Sequence, residues 1–531
     1  MKRLLPIGKQ DFVGIREDGF CYVDKTARIH QLITGSGRAV FLSRPRRFGK
    51  SLLCSTLKAI FEGKRPLFGE IAGRPALAIN SLDWGWEKYP VIRIDLNVGE
   101  YLLKGLVELY ANLNRDMELC AEKYEVPFTG KTESDRFARL IHALHKQCGR
   151  RVVVIIDEYD KPLLSTIENT DLHNDMRNAL KGFYGVLKSS DSDLQFVFIT
   201  GVTKFSRVSV FSDLNHLTDL TLNPAYSDIC GLTQDEVEQN FEPEIKTILE
   251  ETGRDRVMYM KKLRQQYNGY RFSEKPLTVY NPFGLLQHFN EAGKFSPYWY
   301  ETGSPTFLIN LIKKQKINIA KLDNMRVRYE DFRKYDSENI KAEPMLYQCG
   351  YLTISDYNEK RNEYTLDYPN MEVSYSFANS LMEQYLQVTA DRSQALFSKL
   401  PDAFEEGNIE NAIEALRPFL ASIPYDIITD TENYYETVVF LIMKILDLNC
   451  RAEVRTADGR IDTLVETDNF VYCIEFKLDK SAEEALAQID TKDYLLPWKG
   501  TGKKLMKVGV NFDSKKRNIG DWKYETVDAD R

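Results

Sequence analysis

The sequence predicts a multidomain α/β protein in which two sheet domains flank a mainly helical region. In residues 1–220, short β-branched runs alternate with helical stretches, which is typical of a parallel sheet. From about residue 231 the pattern becomes mainly helical, and from about residue 430 a helix, a strand meander, another helix and a last strand near 505–511 follow. The chain of 531 residues is also too long for one core, since a domain averages roughly 150 residues.

The predicted elements divide the chain into four regions. Buried strands are expected in the first region at 39–43, 90–96, 152–157 and 195–201. Thr233 is the expected N-cap of the first helix in the helical region. Further on, the sequence predicts a helix end and then a hairpin within 345–368, followed by a helical stretch over about 374–418. The predicted domain boundaries are 1–230, 231–300, 301–425 and 426–531.

Composition and charge are typical of a globular protein of the cytoplasm. Hydrophobic residues make up 43% of the chain and charged residues 28%, as in a globular protein. The eight cysteines are scattered without a C-x-x-C pair, which favours reduced thiols in the cytoplasm. No signal-peptide core or stretch of about 18 apolar residues occurs, so we expect a cytoplasmic protein without a membrane partner. A net charge of −7 means that a nucleic-acid partner would require a local basic patch.

The stretch RPRRFGKS (44–51) has the second half of the phosphate-loop motif G-x-x-x-x-G-K-S/T. Arg44 occupies the position of the first glycine, and Pro45 removes one N–H donor. The backbone N–H groups that follow still precede a predicted helix, whose N-terminus attracts phosphate. Lys50 is placed to reach the β- and γ-phosphates and Ser51 to hold Mg²⁺. The predicted ATP-binding residues of this loop are Arg46, Arg47, Phe48, Gly49, Lys50, Ser51 and Leu52.

The strand VVVIID has the form of a Walker B strand, with Asp157 directed to Mg²⁺ and Glu158 to the attacking water. A buried strand that ends in a solvated acidic turn is the alternative, but two matching motifs favour a nucleotide site. Thr200 or Thr203 could sense the γ-phosphate, or both could be turn hydroxyls. Arg207 could stabilise the transferring phosphate or be a surface residue.

Six motifs together resemble the AAA-ATPase-like family of bacterial proteins: YVDKT, SRPRRFGKS, IIDEYD, GVTKFSRVSVFS, YNGYRF and YNPF. The resemblance covers about residues 1–285, and the arginine-proline form of the loop is normal in that family. It implies an AAA+-type P-loop NTPase core with a helical lid that uses ATP and Mg²⁺. It also implies that Arg271 of YNGYRF is a second nucleotide sensor, although an aromatic packing corner is the alternative.

A second chemistry is predicted near the C-terminus, where Asp462 and Glu475 are separated by a short hairpin. If Asp468 and Asn469 form a two-residue turn, counting outward places Asp462 directly opposite Glu475. Lys477 falls on the same face because side chains alternate along a strand. Two opposed carboxylates require a cation, so this face predicts a Mg²⁺-dependent phosphodiesterase.

Three neighbouring features bear on the same site. Lys477 could orient or activate the attacking water, and Glu436, which precedes a strongly apolar helix, could complete the metal shell. An exposed hairpin face with ordinary charges is the alternative. Gln488 and Lys492, one turn apart on the next predicted helix, could face the site or be solvated.

This segment resembles the PD-(D/E)XK nuclease superfamily over about residues 430–531, with RID in place of the family's proline-aspartate. The resemblance implies nucleic acid as the partner, with DNA favoured over RNA; a homo-oligomer is kept open as the assembly state. Residues 499–517 carry seven basic side chains against the single acid Asp513. Such a stretch suits a polyanion, although clustered lysines are often only a solvated surface.

Between the two chemistries, the helix and hairpin of 345–368 have the form of a winged helix. This module could carry DNA, or it could be a lid that docks on the ATPase. The favoured function is a nuclease controlled by ATP. A non-cleaving ATP switch is the alternative, and an ATP-dependent protein remodeller would require a ring and a pore loop for which the sequence gives no evidence.

Overall fold

A computed structural model describes residues 3–35, 37–204, 217–303, 305–319, 322, 324–330, 341–386, 399–423, 432–446, 449–455 and 460–527. The chain divides into two structural units. The first comprises Met1–Thr302 with Arg326–Thr365, and the second comprises Gly303–Met325 with Leu366–Arg531. Residues of the predicted middle region, 301–425, therefore occur in both units.

The strands of the described residues are β1 (Ala39–Ser43), β2 (Val91–Asp95), β3 (Val152–Asp157), β4 (Leu194–Gly201), β5 (Thr218–Asp219), β6 (Tyr270–Arg271), β7 (Thr278–Val279), β8 (Met325–Arg328), β9 (Thr353–Asn358), β10 (Glu363–Asp367), β11 (Asn449–Arg455), β12 (Arg460–Glu466), β13 (Phe470–Leu478), β14 (Lys504–Asp513) and β15 (Asn518–Val527).

The α-helices in the described part of the chain are α1 (Phe12–Glu17), α2 (Thr26–Thr34), α3 (Lys50–Phe61), α4 (Tyr101–Lys104), α5 (Leu106–Lys123), α6 (Glu133–Cys148), α7 (Lys161–Ser165), α8 (Thr170–Ser189), α9 (Gln234–Thr252), α10 (Arg256–Tyr267), α11 (Pro282–Asn290), α12 (Thr306–Lys314), α13 (Ala342–Gln348), α14 (Met371–Leu386), α15 (Leu400–Glu406), α16 (Ile409–Ser422), α17 (Glu432–Ile445) and α18 (Ala482–Thr491).

The first unit is built on a five-stranded parallel sheet with the order β2-β3-β4-β1-β5. The four strands predicted from apolar runs are present, and β1 and β3 are buried along their whole length, as strands covered on both faces must be. Since the strands are parallel, Ser43, Asp157 and Gly201 end at one edge of the sheet. This edge carries the phosphate loop and the acidic turn.

Helices α9, α10 and α11 belong to the predicted lid region and share an apolar core. Thr233 is the N-cap of α9, as predicted. Its side chain accepts a hydrogen bond from the Glu236 N–H, and the Glu236 side chain accepts one from the Thr233 N–H. This capping box fixes where the helical region begins.

The predicted helix and hairpin are α13 followed by β9 and β10, with β8 added to the sheet in the order β8-β10-β9. Residues 344–354 are all buried. The Gln348 side chain accepts a hydrogen bond from the Lys204 N–H at 3.1 Å, and Gly350 lies against Pro45. A helix that reads DNA must be exposed, so these contacts fit docking on the ATPase-like unit.

The second unit contains a five-stranded sheet with the order β11-β12-β13-β14-β15, in which β13 and β14 are parallel and the other neighbours are antiparallel. Helix α18 packs on β13 and β14. The sequence predicted a last strand near 505–511, whereas β15 follows β14. Strand β15 was missed because it is an edge strand in which half of the residues are exposed, and it lacks an apolar run.

Candidate nucleotide and metal-ion sites

The phosphate loop enters helix α3 through two residues with left-handed backbone. Arg47 has φ 65° and Gly49, the N-cap of α3, has φ 90°. Gly49 meets this conformation without the strain that a side chain would add. The loop thereby leads directly into the first turn of α3, whose N–H groups are available to an anion.

Lys50 brings the two predicted halves of the nucleotide site together. Its side chain is buried, and its Nζ donates to the carbonyl oxygens of Arg44 and Pro45, each at 3.1 Å. The same Nζ lies 3.1 Å from Glu158 Oε1. The lysine therefore spans its own loop and forms an ion pair with the predicted water-activating carboxylate.

Asp157 at the end of β3 is fully buried, and its Oδ1 has no hydrogen-bond partner. Its Oδ2 lies 3.3 Å from an Arg93 guanidinium nitrogen. The pKa of Asp157 is raised to about 6, chiefly by burial and also by the charges of Glu158 and Asp95, whereas hydrogen bonding to Ser51 lowers it. A carboxylate oxygen without a partner beside a serine hydroxyl fits the hard oxygen ligands that Mg²⁺ requires.

The arginine in place of the first glycine has a structural role. The buried Arg44 guanidinium donates to the carbonyl oxygens of Ser43 at 2.8 Å and of Thr221 and Tyr226 at 2.9 Å. It also stacks 4.2 Å from the centre of the Phe272 ring. Arg44 therefore fastens the start of the loop to the chain after β5.

Aromatic residues of the lid region pack on the rest of the loop. Phe48 contacts both aromatic rings that flank Arg271 in YNGYRF, with centroid distances of 4.8 and 5.5 Å. The Arg46 carbonyl accepts a hydrogen bond from Trp299 Nε1 at 3.0 Å, and the Arg47 guanidinium lies 4.8 Å from the centre of the Phe283 ring. Residues 46–48 of the loop therefore pack against aromatic side chains of this region.

An apolar cavity of about 110 Å³ lies beside the phosphate loop. It is lined by Gly49 and Leu52 of the predicted site and by Tyr22, Leu232 and Pro282. Tyr22 belongs to YVDKT and Pro282 to YNPF, two motifs to which sequence reasoning gave no role. The sequence analysis therefore missed that both motifs border the same cavity as the loop.

The two predicted sensors have other hydrogen-bond partners. Thr200 Oγ1 donates to the Leu42 carbonyl at 2.7 Å, which ties β4 to β1. The Arg271 guanidinium donates to the carbonyl oxygens of Ser273 at 3.0 Å, Ser355 at 3.1 Å and Glu274. These contacts fit the packing alternative for Arg271, and both nucleotide-sensor roles stay predictions. Arg207 lies outside the described residues.

In the second unit, the hairpin register is the one predicted from its turn. Thr467 N–H donates to the Phe470 carbonyl at 2.9 Å, and the pairs that follow are Glu466↔Val471, Val465↔Tyr472, Leu464↔Cys473 and Thr463↔Ile474. The next step of this register places Asp462 opposite Glu475. The Asp462 carboxylate accepts a hydrogen bond from the Phe476 N–H at 2.9 Å.

Glu475 is buried, and only one of its two carboxylate oxygens accepts hydrogen bonds. Its Oε1 lies 3.3 Å from Lys477 Nζ and also accepts from the Gln488 side-chain amide, whereas Oε2 has no hydrogen-bond partner. Burial, followed by the charge of Asp462, raises the pKa of Glu475 to about 8, although Lys477 lowers it. A buried carboxylate that is costly to ionise beside a second carboxylate fits a divalent cation.

Of the other residues predicted for this site, Lys477 lies beside the carboxylate of Glu475. Lys477 Nζ also donates to the Phe476 carbonyl at 2.8 Å, which fixes the ammonium on the carboxylate face. Glu436 lies in α17, but its side chain is outside the described part of the chain. Among the residues that are described, no three His, Cys, Asp or Glu side chains form a metal-binding group. The structure brings together Asp462, Glu475 and Lys477 and adds Gln488.

Comparison with known proteins agrees with both predicted domains. Residues 6–211 match the family model of AAA-ATPase-like proteins, described as predicted AAA-ATPase, and residues 430–522 match the PD-(D/E)XK nuclease superfamily. A protein of Azotobacter chroococcum mcd 1, described as an uncharacterized protein in the vnfD 5′ region, is 34% identical over 536 residues, covering 99% of both chains. The chain belongs to the AAA-ATPase-like family and carries a C-terminal PD-(D/E)XK nuclease superfamily domain.

In this AAA-ATPase-like protein, carboxylates from other segments neutralise part of the positive charge of the basic stretch 499–517. Lys503 pairs with Glu466 at 2.8 Å, and Lys507 contacts both Asp490 and, at 3.5 Å, Glu525. The sequence interpretation counted only Asp513 because the other acids come from distant segments. Lys492 is exposed at the end of α18, whereas the Gln488 side-chain amide donates a hydrogen bond to Glu475.

The described part of the AAA-ATPase-like chain contains no helix that is both long and apolar enough to cross a membrane.

Proposed function

We propose that this protein binds and hydrolyses ATP in its first unit and cleaves nucleic acid with a divalent cation in its second, and that the nucleotide state controls cleavage. One observation carries the proposal. In each unit a buried carboxylate oxygen without a hydrogen-bond partner occurs in a group that also contains a buried lysine, namely Asp157 with Lys50 and Glu475 with Lys477. Such groups are costly unless a ligand completes them.

In the ATP site, the phosphates would lie on the N–H groups at the start of α3, and the base would occupy the apolar cavity beside Leu52. Mg²⁺ held by Ser51 and Asp157 would neutralise charge on the β- and γ-phosphates. Lys50 would exchange its contact with Glu158 for one with phosphate. Glu158 is then free to accept a proton from the attacking water.

In the nuclease site, Asp462 and Glu475 would hold Mg²⁺ and Glu436 would approach from α17; the ion would polarise the scissile phosphodiester. Gln488 engages Glu475 Oε1, so Oε2, which has no hydrogen-bond partner, would remain available to the ion. Lys477 orients the attacking water and stabilises the negative charge that develops. We propose DNA as the preferred substrate over RNA.

A specific observation favours a second candidate function, a non-cleaving switch that binds a protein partner. Lys503 and Lys507 are paired with carboxylates, which weakens the attraction of this surface for a polyanion. In that case the second unit would bind its partner without hydrolysing phosphodiesters.

The test uses the purified full-length chain with supercoiled plasmid, single-stranded DNA and RNA, with and without ATP and with Mg²⁺ or Mn²⁺. Asp462→Ala should abolish cleavage because the metal loses one of two carboxylates, and it should leave ATP hydrolysis within about twofold of wild type since the sites lie in separate units. Asp468→Ala, at the exposed turn of the same hairpin, is the matched control and should cleave normally. Metal-independent cleavage, or unchanged cleavage by Asp462→Ala, would contradict the nuclease assignment.

A further inference from the structure

A third carboxylate of the IIDEYD motif has no role in the proposed mechanism. Asp160 is fully buried two residues beyond Glu158. Its carboxylate accepts hydrogen bonds from the Val202 N–H at 3.2 Å, the Thr203 N–H at 2.6 Å and the Thr203 hydroxyl at 2.5 Å. Hydrogen bonds to a charged acceptor are the strong ones, so Asp160 holds the segment that leaves β4.

Tyr159 and Gly201 reinforce the same junction. Tyr159 donates through its N–H to the Thr200 carbonyl at 3.0 Å and through its hydroxyl to the Thr203 carbonyl at 3.1 Å. A Cβ at Gly201 would lie 2.2 Å from Asp160 Oδ1, so only glycine admits this approach. The segment 200–203 is therefore held against the acidic turn by side-chain and backbone bonds together.

The position of this junction links it to the reaction. Strand β4 lies between β3, which leads into the acidic turn, and β1, which leads into the phosphate loop. The Arg44 N–H donates to the Gly201 carbonyl at 3.1 Å, which joins the segment to the loop as well. The charges of Glu158 and Lys50 both act on Asp160, so it lies within electrostatic reach of both proposed catalytic groups.

We propose that Asp160 is a positioning residue for ATP hydrolysis, which holds the segment 201–203 against the turn that carries Glu158. The spacing between Glu158, the phosphate loop and the end of β4 is thereby kept constant around the terminal phosphate. Asp160 makes none of the contacts assigned to ATP, so its loss should affect the catalytic step and not binding. This inference rests on the proposed ATPase function.

The experiment measures ATP turnover and ATP binding in the full chain with Mg²⁺. Asp160→Asn keeps the size but has one acceptor oxygen for three donors, so kcat should fall about ten- to a hundredfold while KM and Kd stay within about twofold. Thr203→Val should lower kcat in the same direction. The double variant Asp160→Asn/Thr203→Val should be no slower than Asp160→Asn, because both substitutions disrupt the same contact between Asp160 and Thr203. Asp521→Asn is the matched control, since Asp521 also holds a backbone N–H, that of Ala482 in the second unit, and it should leave turnover unchanged.

The outcomes separate the two ideas. A wild-type chain without ATP turnover would contradict the proposed function itself. Wild-type turnover together with an unchanged kcat in Asp160→Asn, a rise in KM alone, or additive effects in the double variant would overturn the positioning role. If Asp160→Asn does not fold, Thr203→Val decides, and an unchanged kcat in that variant overturns the proposal.

Discussion

Asp157 and Glu475 each keep one buried carboxylate oxygen without a hydrogen-bond partner. Burying a polar atom without a hydrogen-bond partner costs roughly 1–3 kcal/mol of folding free energy. Such an atom is therefore expected where it serves a function, such as binding a ligand. In both cases the raised pKa has burial as its main cause. The cost falls on the ionised form, which is the form that binds a metal ion.

At the nucleotide site, the ion pair of Lys50 with Glu158 predicts different effects for the two residues. Lys50→Ala should abolish tight ATP binding, because this lysine provides the positive side-chain charge assigned to the β- and γ-phosphates. Glu158→Gln should bind ATP normally and hydrolyse it at least about a hundredfold more slowly, since only the water-activating group is lost. Equilibrium binding of a fluorescent ATP analogue and a phosphate-release assay distinguish the two. Normal turnover by Lys50→Ala would refute the site.

At the metal site, the pKa of Glu475 predicts a pH-dependent stability of the metal-free protein. The folded chain binds this proton up to about pH 8, whereas an ordinary glutamate releases it near pH 4.5. The contribution of Glu475 to stability therefore falls as the pH rises from 4.5 through 8. In EDTA near pH 8.5, the free energy of unfolding of Glu475→Gln should therefore exceed that of wild type by a few kcal/mol, since one pKa unit corresponds to about 1.4 kcal/mol. Near pH 5 the two proteins should be equally stable.

Calorimetric unfolding at both pH values checks this prediction. Mg²⁺ or Mn²⁺ should stabilise the wild-type chain more than Glu475→Gln. If Glu475→Gln is less stable than wild type in EDTA near pH 8.5, then the ionised Glu475 carboxylate does not destabilise the folded protein, and the prediction is wrong.

At the scale of elements, the buried helix α13 and the turn after it connect the hairpin to the phosphate loop. Gly350 has φ +88°, and a Cβ there would lie 2.8 Å from Pro45 Cβ. Gly253, at the end of α9, has φ +65° with nothing within 4 Å of its Cβ position. The two glycines share the backbone requirement, but only Gly350 touches the loop.

This pair gives a matched test of whether the helix and hairpin act on the nucleotide site. Both Gly350→Ala and Gly253→Ala should lose about 1 kcal/mol of stability from backbone strain. Gly350→Ala should in addition displace Pro45 and weaken ATP binding roughly five- to tenfold, as overpacking does. Titration calorimetry with ATP measures the difference. Equal ATP affinities in the two variants would mean that the docked element does not influence the loop.

What the sequence could predict at this scale was local. The buried runs of β1 and β3 and the hairpin register around Asp468 follow from side-chain alternation and turn length, so they could be predicted. Three features depend on residues that are far apart in the chain: the role of Arg44, the apolar cavity and the pairing of Lys507. A local sequence pattern contains no information about such contacts. The junction at Asp160 was missed for the same reason, since its partners are about 40 residues away.

For the whole molecule, the central claim is that the nucleotide state of the first unit controls the chemistry of the second. Both domains occur on one chain, and each unit contains a buried carboxylate oxygen without a hydrogen-bond partner. Control requires that ATP binds the cleaving and non-cleaving states with different affinity. The claim therefore concerns a coupling free energy and is tested by changing one site and measuring the other.

The most direct measurement is the initial rate of metal-dependent DNA cleavage with and without ATP for wild type, Lys50→Ala and the exposed-lysine control Lys246→Ala. We predict that ATP changes the wild-type and Lys246→Ala rates at least about fivefold, a coupling of about 1 kcal/mol. Lys50→Ala should cleave at one rate whether or not ATP is present, because its metal site is untouched and its ATP site is lost. A wild-type rate that does not respond to ATP and equals that of Lys50→Ala would contradict the account and leave two independent enzymes on one chain.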